Sequence, residues 1–191
     1  MNPEALSSSI PAHLIGLVTE LRSKPVESPP APWKQVAVFA IGGLTEVGYA
    51  PDSDFLLVIS HSGRGVFDCT NGEKLARDVN DSPNFINQFK LEALGIGPLE
   101  GQWIRVGGLH GGGLPNSTDD GWGLIALPLP WPKYYVFLTS SWKSIYRGTE
   151  HAVKVATDEV CELRAYGFSE TGRSFVIATS CDITLFTRGT V

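Results

Sequence analysis

Apolar residues fall into short runs along the chain, and turn-forming residues separate these runs. The runs Phe55–Ile59 and Phe175–Ala178, for example, lie between turns rich in Asp, Ser, Thr and Gly. Short apolar runs bounded in this way predict β-strands. Eleven candidate strands result, of which we expect about nine to form: 34–41, 45–50, 54–60, 64–68, 102–107, 123–129, 133–139, 152–156, 160–168, 173–179 and 182–187.

The N-terminal part of the chain has helical spacing instead. Ser9 lies near the start of this segment and Pro11 suits a first turn. Residues 25–32 (PVESPPAP) follow and cannot continue a helix, so they predict an extended tether. The apolar stripe of this helix must pack on the body or on a partner; it consists of Leu14, Ile15, Leu17, Val18 and Leu21.

A second helix is predicted near residues 83–94. Ser82 is a good N-cap, Pro83 suits the first helical position, and Gly95 is placed to end the helix. One face of this helix would carry Phe85, Ile86, Phe89 and Ala93.

The pattern as a whole predicts a mostly β protein, or a β-rich α+β protein. We expect two packed antiparallel sheets built from meanders, with one helix near 83–94 and an N-terminal helix. The predicted division is an N-terminal helix and Pro-rich tether over residues 1–32, followed by a single β-rich domain over residues 33–191.

One internal similarity relates two distant segments. Residues 46–67, shifted by 119 positions, align without a gap on residues 165–186. The two aligned rows share a glycine near one end (Gly48 and Gly167) and a phenylalanine at the other (Phe67 and Phe186), with pairs of apolar residues between them. This pattern fits three strands joined by two turns. The sequence therefore contains a possible pseudo-repeat of a three-stranded meander.

Segments 46–73 and 165–188 resemble the repeat units of β-propeller proteins. The resemblance rests on Val66-Phe67-Asp68 followed by Thr70-Asn71-Gly72, and on Ser169-Glu170-Thr171-Gly172 followed by an apolar strand. A propeller needs at least about four blades of roughly 40 residues. Since the chain offers two such units, the resemblance implies blade-like meanders rather than a closed propeller.

Composition and charge limit the classes of partner. The chain has 15 Lys and Arg residues against 20 Asp and Glu residues, a net charge of −5. It lacks the basic surplus of a nucleic-acid binder, and no apolar run reaches membrane-spanning length. The first residues lack the basic and apolar regions of a secretory signal. We therefore expect no nucleic-acid partner and no membrane partner.

The cysteines and histidines predict neither a metal site nor a cofactor. Three cysteines, at 69, 161 and 181, are an odd number without metal-ligand spacing, and we expect buried, inert thiols in a reduced, cytoplasmic protein. No pair of histidines, and no His–Cys pair, has the spacing of zinc ligands; the histidines are at positions 13, 61, 110 and 151.

The glycine-rich stretch 107–122 is the most unusual part of the chain. Residues 110–113 (HGGG) match an oxyanion-hole sequence of lipase-like hydrolases, but the G-x-S-x-G nucleophile elbow is missing. Residues 116–121 match part of an EF-hand loop, yet Leu127 stands where the bidentate carboxylate belongs. A phosphate loop would require Gly-Lys-Ser/Thr and a following helix, which the sequence lacks. Two interpretations of stretch 107–122 remain: a structural loop between strands, or a binding surface.

The predicted function is therefore a non-catalytic protein-interaction module of the immunity or regulatory type found among bacterial accessory proteins. The alternative is a small ligand-binding protein or a hydrolase-like enzyme that uses His110 with Asp119 or Asp120 as a general-base pair. The partner would be an unknown protein or a small ligand. Aromatic, Arg and loop residues are favoured at binding sites, and the candidates are Trp103, Arg105, His110, Gly111, Gly112, Gly113, Asp119, Asp120 and Trp122.

Overall fold

The protein is mostly β in a computed structural model that describes residues 10–79 and 83–189. One α-helix, α1 (Ile15–Ser23), precedes the strands. The strands are β1 (Trp33–Ala40), β2 (Leu44–Tyr49), β3 (Phe55–Ser60), β4 (Gly63–Asp68), β5 (Glu73–Asp78), β6 (Ile86–Asn87), β7 (Glu92–Leu94), β8 (Trp103–Arg105), β9 (Gly107–Gly108), β10 (Gly123–Leu127), β11 (Tyr135–Thr139), β12 (Ala152–Thr157), β13 (Leu163–Phe168), β14 (Ser174–Thr179) and β15 (Asp182–Arg188). Every predicted strand overlaps one of these.

These strands form four antiparallel sheets. The first sheet has the order β1-β15-β14-β13, so the first strand of the chain pairs with the last. The second sheet has the order β5-β4-β3-β2-β9. The third sheet is β6-β7-β8 and the fourth is β10-β11-β12. The prediction of two packed sheets was wrong in this respect, because four short meanders each form a sheet of their own.

The two segments related by the 119-residue shift have the same strand arrangement. β2, β3 and β4 begin 119 residues before β13, β14 and β15. The register also repeats: Val47 pairs with Val58 as Tyr166 pairs with Ile177. The strand register also shifts at the same place in both meanders, between Leu44 and Glu46 and between Leu163 and Ala165. The similarity in sequence therefore corresponds to a similarity in hydrogen-bonded structure.

A shared core joins these two meanders. Val47 and Leu56 of the second sheet lie in one buried cluster with Val176 and Leu185 of the first sheet. Burial of apolar side chains from both sheets removes their surface from water and favours this arrangement. Within the described residues the structure shows antiparallel meanders but no propeller.

Helix α1 packs on the fourth sheet. Leu21 is 1% exposed and belongs to a cluster with Leu129, Phe137, Ile145 and Ala152. Arg22 donates to the carbonyl of Leu129 (2.9 Å), and Lys154 donates to the carbonyl of Arg22 (3.1 Å). The N-cap region predicted around Ser9 lies outside the described residues. No helix in the described residues is long and apolar enough to cross a membrane.

The helix predicted over 83–94 is wrong. A single 3₁₀ turn (Pro83–Phe85) leads into β6 and β7. Leu91 has a left-handed φ of 54°, which ends any helical course, and Phe89 is fully exposed. Ala93 pairs with Ile104 across the third sheet. Sheet pairing has therefore overridden the helical spacing, and the N-cap predicted at Ser82 lies outside the described residues.

The cysteine prediction also needs correction. Cys161 and Cys181 form a disulfide across the first sheet, with their Cα atoms 6.1 Å apart. Cys69 alone is a free, buried thiol, and burial raises the pKa of this thiol well above its ordinary value. Spacing along the chain did not indicate the disulfide because the sheet brings the two residues together.

Candidate functional site

Two equivalent glycines position the glycine-rich segment on the sheets. A Cβ at Gly48 on β2 would collide with the carbonyl oxygen of Arg105, and a Cβ at Gly167 on β13 would collide with Leu114. Only glycine allows so close an approach of another backbone. The segment between Arg105 and Leu114 therefore packs closely on both meanders. Gly48 contacts one end of the segment, and Gly167, which occupies the equivalent position of the other meander, contacts the other end.

A tight hairpin forms within this segment. Gly108 N–H donates to the carbonyl of Gly111 (2.9 Å), and Gly111 N–H donates back to the carbonyl of Gly108 (3.1 Å). Leu109 N–H donates to the carbonyl of Thr45 (2.9 Å), which ties the hairpin to β2. Gly111 and Gly112 have left-handed φ values of 105° and 77°, which glycine adopts at no steric cost. We call residues 107–113 the glycine hairpin.

His110 at the tip of the glycine hairpin binds a buried carboxylate. His110 Nδ1 lies 2.5 Å from Oε1 of Glu46 on β2. The Glu46 side chain is 2% exposed, whereas that of His110 is 42% exposed. This contact engages Nδ1, and Nε2 is the other nitrogen of the half-exposed ring. The second oxygen of Glu46 has no hydrogen-bond partner among the described residues.

A histidine oriented by a carboxylate is one element of general-base chemistry. The sequence predicts Asp119 or Asp120 as the carboxylate beside His110, whereas the carboxylate within hydrogen-bond distance of His110 is that of Glu46. Asp120 is bound by Arg188 and by the hydroxyl of Thr118. The predicted His110–Asp120 pair is therefore replaced by two separate pairs, each on a different part of the fold.

Three exposed side chains accompany His110 along the same segment. Trp103 and Arg105 lie on the exposed face of β8, on either side of the buried Ile104. Leu109, on the glycine hairpin, is as exposed as Trp103 at 49%. We call Trp103, Arg105, Leu109 and His110 the exposed strip. Trp and Arg side chains are enriched among the residues that contribute most to the binding energy of protein interfaces.

At the C-terminal end of the predicted loop, Trp122 and Asp120 make contacts that stabilise the fold. Trp122 packs edge-on against the buried Trp33, with ring centroids 5.9 Å apart. Arg188 lies over the same Trp33 ring at 4.9 Å and binds Asp120. The hydrogen bond from Arg188 lowers the pKa of Asp120 to about 2, against the opposing effect of burial. Asp119 is exposed beside Asp120 and lines an open pocket there.

A separate cavity of about 550 Å³ lies against the glycine hairpin. Arg164 lies in its wall, where its guanidinium binds Glu162 (2.8 Å) and the carbonyl of Leu44 (3.3 Å). Gly112 and Gly113 also line this cavity, but His110 does not. We call it the tyrosine cavity because its other lining residues include Tyr134 and Tyr166.

A comparison with known protein families finds no match to the chain, and a comparison with curated proteins finds none either. Within the described residues, no group of three or more His, Cys, Asp or Glu side chains is placed to hold a metal ion. Interpretation of the site therefore rests on the geometry of its own residues.

Sequence reasoning missed Glu46, Leu109 and both tyrosines of the cavity. Glu46 carried a signal, because a single carboxylate inside an otherwise apolar strand requires a partner when it is buried. The partner lies 64 residues away on the glycine hairpin, and strand pairing alone brings the two together: Glu46 faces Gly108 in the register of β2 with β9. The aromatic run 131–137 indicated Tyr134 only as one of several possible surface aromatics, and no pattern in the sequence indicated Tyr166.

Proposed function

We propose that the protein is a non-catalytic interaction module of the immunity or regulatory type, and that the exposed strip binds a partner protein. The observation that carries the proposal is that Trp103, Arg105 and Leu109 are all exposed along one segment whose backbone is hydrogen-bonded to neighbouring strands. Rigid display lowers the entropic cost of ordering such residues on binding.

The chemistry of the strip defines the partner. An apolar pocket must receive Trp103 or Leu109, and an acidic side chain must face Arg105 because Arg binds carboxylates through paired N–H groups. His110 has its Nδ1 committed to Glu46. The part of the His110 ring that can contact a partner is therefore the side that carries Nε2.

The experiment compares immobilised wild-type protein with Trp103→Ala, Arg105→Gln and Leu109→Ala in a lysate of the native host, followed by titration with the purified partner. Trp131→Ala is the matched control, since Trp131 is exposed outside the strip. We expect the three strip variants to weaken binding by at least about tenfold and the control to bind as the wild type does. Equal capture by all four variants would remove the strip as the binding surface.

The second candidate function is binding of a small ligand in the tyrosine cavity. Its volume of about 550 Å³ falls within the range of ligand sites, roughly 300–1,000 Å³. Two tyrosines and the Arg164–Glu162 pair supply both apolar surface and polar groups. A hydrolase that uses His110 receives less support, because His110 does not line this cavity.

Gly113 provides a direct test of the cavity. A Cβ at Gly113 would meet nothing within 4 Å, so Gly113→Leu adds a side chain at the cavity wall without a collision. Gly42→Leu is the control, since its surroundings are equally open and it lies outside the cavity. A compound that raises the melting temperature of the wild type and of Gly42→Leu, but not of Gly113→Leu, supports ligand binding there. A compound that stabilises all three proteins binds elsewhere.

The cellular location is a further part of the proposal. A cytoplasmic location stays a prediction from the sequence. The Cys161–Cys181 disulfide argues against it, because disulfides persist mainly in oxidising compartments.

A further inference from the structure

His151 is a buried histidine whose ring nitrogens have no hydrogen-bond partner among the described residues. Its side chain is 6% exposed. The nearest carboxylate oxygen, Oε1 of Glu150, lies 3.7 Å from Nδ1, which is too far for a hydrogen bond. Since buried polar groups are nearly always paired, this ring lacks a partner that a bound molecule can supply.

An open pocket of about 570 Å³ adjoins His151. Two cationic side chains, Lys143 and Arg147, line the pocket and are exposed. Neither belongs to an ion pair of the described residues. In a chain with a net charge of −5, two such cations beside a histidine form a local site that attracts anions.

Glu150 already places a carboxylate in this pocket. Its side chain is 72% exposed and lies between Gly148 and His151. A hydrogen bond from its own backbone N–H lowers the pKa of Glu150 against the opposing effect of desolvation, and the positive charge of Lys143 lowers this pKa further. An exposed side chain is displaced at little cost. The Glu150 carboxylate therefore marks the position that the anionic group of a ligand would take.

Trp142 forms the other wall of the pocket. Its indole ring lies against Gly121, where any added Cβ would collide with the ring. The side chain remains 68% exposed, so the ring offers open surface for stacking. Both Ser141 and Trp142 have left-handed φ values, 61° and 57°. Such conformations are uncommon for residues other than glycine and concentrate at ligand sites.

We infer that this pocket binds a small molecule that combines a flat aromatic ring with a phosphate or carboxylate group. The ring stacks on Trp142, as planar rings do on exposed indoles. The anionic group displaces the Glu150 carboxylate and binds Arg147, Lys143 and the His151 ring. This site is separate from the exposed strip and from the tyrosine cavity, so it stands independently of the proposed function.

Calorimetric titration with four probes tests the inference: adenosine monophosphate, 4-hydroxybenzoate, adenosine and inorganic phosphate. We expect at least one of the first two to bind with a Kd below about 1 mM, and the last two at least about tenfold more weakly because each offers only half of the chemistry. The first two probes separate a phosphate ligand from a carboxylate ligand. A Kd above about 1 mM for both overturns the inference.

Variants locate the binding that is observed. Trp142→Ala and Arg147→Gln should each weaken it by about tenfold, whereas Glu150→Gln should tighten it about threefold because a competing charge is removed. Trp131→Ala and Glu100→Gln are the matched controls at exposed positions outside the pocket and should leave the Kd unchanged. The His151 ring resonances should shift in the wild type during titration. Unchanged affinity in Trp142→Ala and Arg147→Gln, or unshifted His151 resonances, would place the ligand elsewhere and overturn the inference.

Discussion

Arg173 binds Asp54, and the two residues occupy equivalent positions in the two meanders. The two residues are 119 positions apart, which is the shift that relates the meanders. Arg173 donates through Nε (3.0 Å) and Nη2 (2.7 Å) to one carboxylate oxygen. The other oxygen accepts from the hydroxyls of Ser169, Thr171 and Ser174. Equivalent positions with opposite charges therefore join the first sheet to the second.

Asp54→Ala should destabilise the fold strongly. The carboxylate is buried, and its loss leaves three hydroxyl groups and an Arg without their acceptor. We expect a loss of about 3 kcal/mol in the free energy of unfolding, measured with urea. Arg173→Ala should cost about 1 kcal/mol, since its side chain is 44% exposed and the hydroxyls remain. Asp119→Ala, at an exposed position, is the control and should change little; equal losses in all three variants would contradict this account.

The Asp120–Arg188 pair should make stability depend on pH at acid values. The pKa of Asp120 is lowered to about 2 in the folded protein, so the folded state favours the ionised form. Its contribution is complete above the ordinary pKa of an aspartate, about 4, and is lost as the pH falls towards 2. Because the Asp120 side chain is 49% exposed, solvent screening limits the contribution to about 1 kcal/mol.

Urea unfolding of wild type and Asp120→Asn between about pH 2 and pH 7 checks this dependence. The difference in unfolding free energy between the two proteins should be constant at neutral pH and should become much smaller as the pH falls to 2. A difference that stays the same at every pH would show that Asp120 does not contribute through its charge.

Thiol counting should show one free cysteine. In the unreduced, unfolded protein only Cys69 should react with iodoacetamide, and in the native protein none should react because Cys69 is buried. Reduction should release two further thiols and lower the free energy of unfolding by about 3 kcal/mol, as expected for a loop of this length. Three reactive thiols in the unfolded protein before reduction would rule out the disulfide.

Helix α1 should contribute to the stability of the β body. Leu21 is fully buried between the helix and the fourth sheet, so Leu21→Ala should cost about 2–5 kcal/mol. Ile15→Ala is the matched control, because Ile15 lies on the same helix and is half exposed. Similar melting temperatures for the two variants would instead support an independent appendage, as the division at residue 32 predicts.

The strands could be predicted because their apolar runs are bounded by turns, and the missed strands lack that signal. β5 (Glu73–Asp78) is largely charged and forms the edge of its sheet, where solvent accepts polar side chains. β6, β7 and β9 are two or three residues long. Such short segments are fixed by their neighbours rather than by their own periodicity.

The candidate site was only partly predictable for a similar reason. Residue type and the surrounding glycines identified His110 and the exposed Trp103. The partner of His110 depends on the pairing of β2 with β9, and the role of Asp120 depends on Arg188 at the far end of the first sheet. Contacts between residues so distant along the chain are determined by topology, which short-range patterns do not contain.

The pairing of β1 with β15 affects how the chain can fold as it is synthesised. β1 leaves the ribosome well before its partner strand, Asp182–Arg188, has been made. Until then the edge of β1 lacks its antiparallel neighbour, and Trp33 lacks Phe175, whose ring meets it edge-on in the finished core. Long-range pairing of this kind slows folding and leaves strand edges open to other chains. Completion of the first sheet must therefore wait for the synthesis of β15, and nascent chains that stop before β15 leave the edge of β1 open to aggregation.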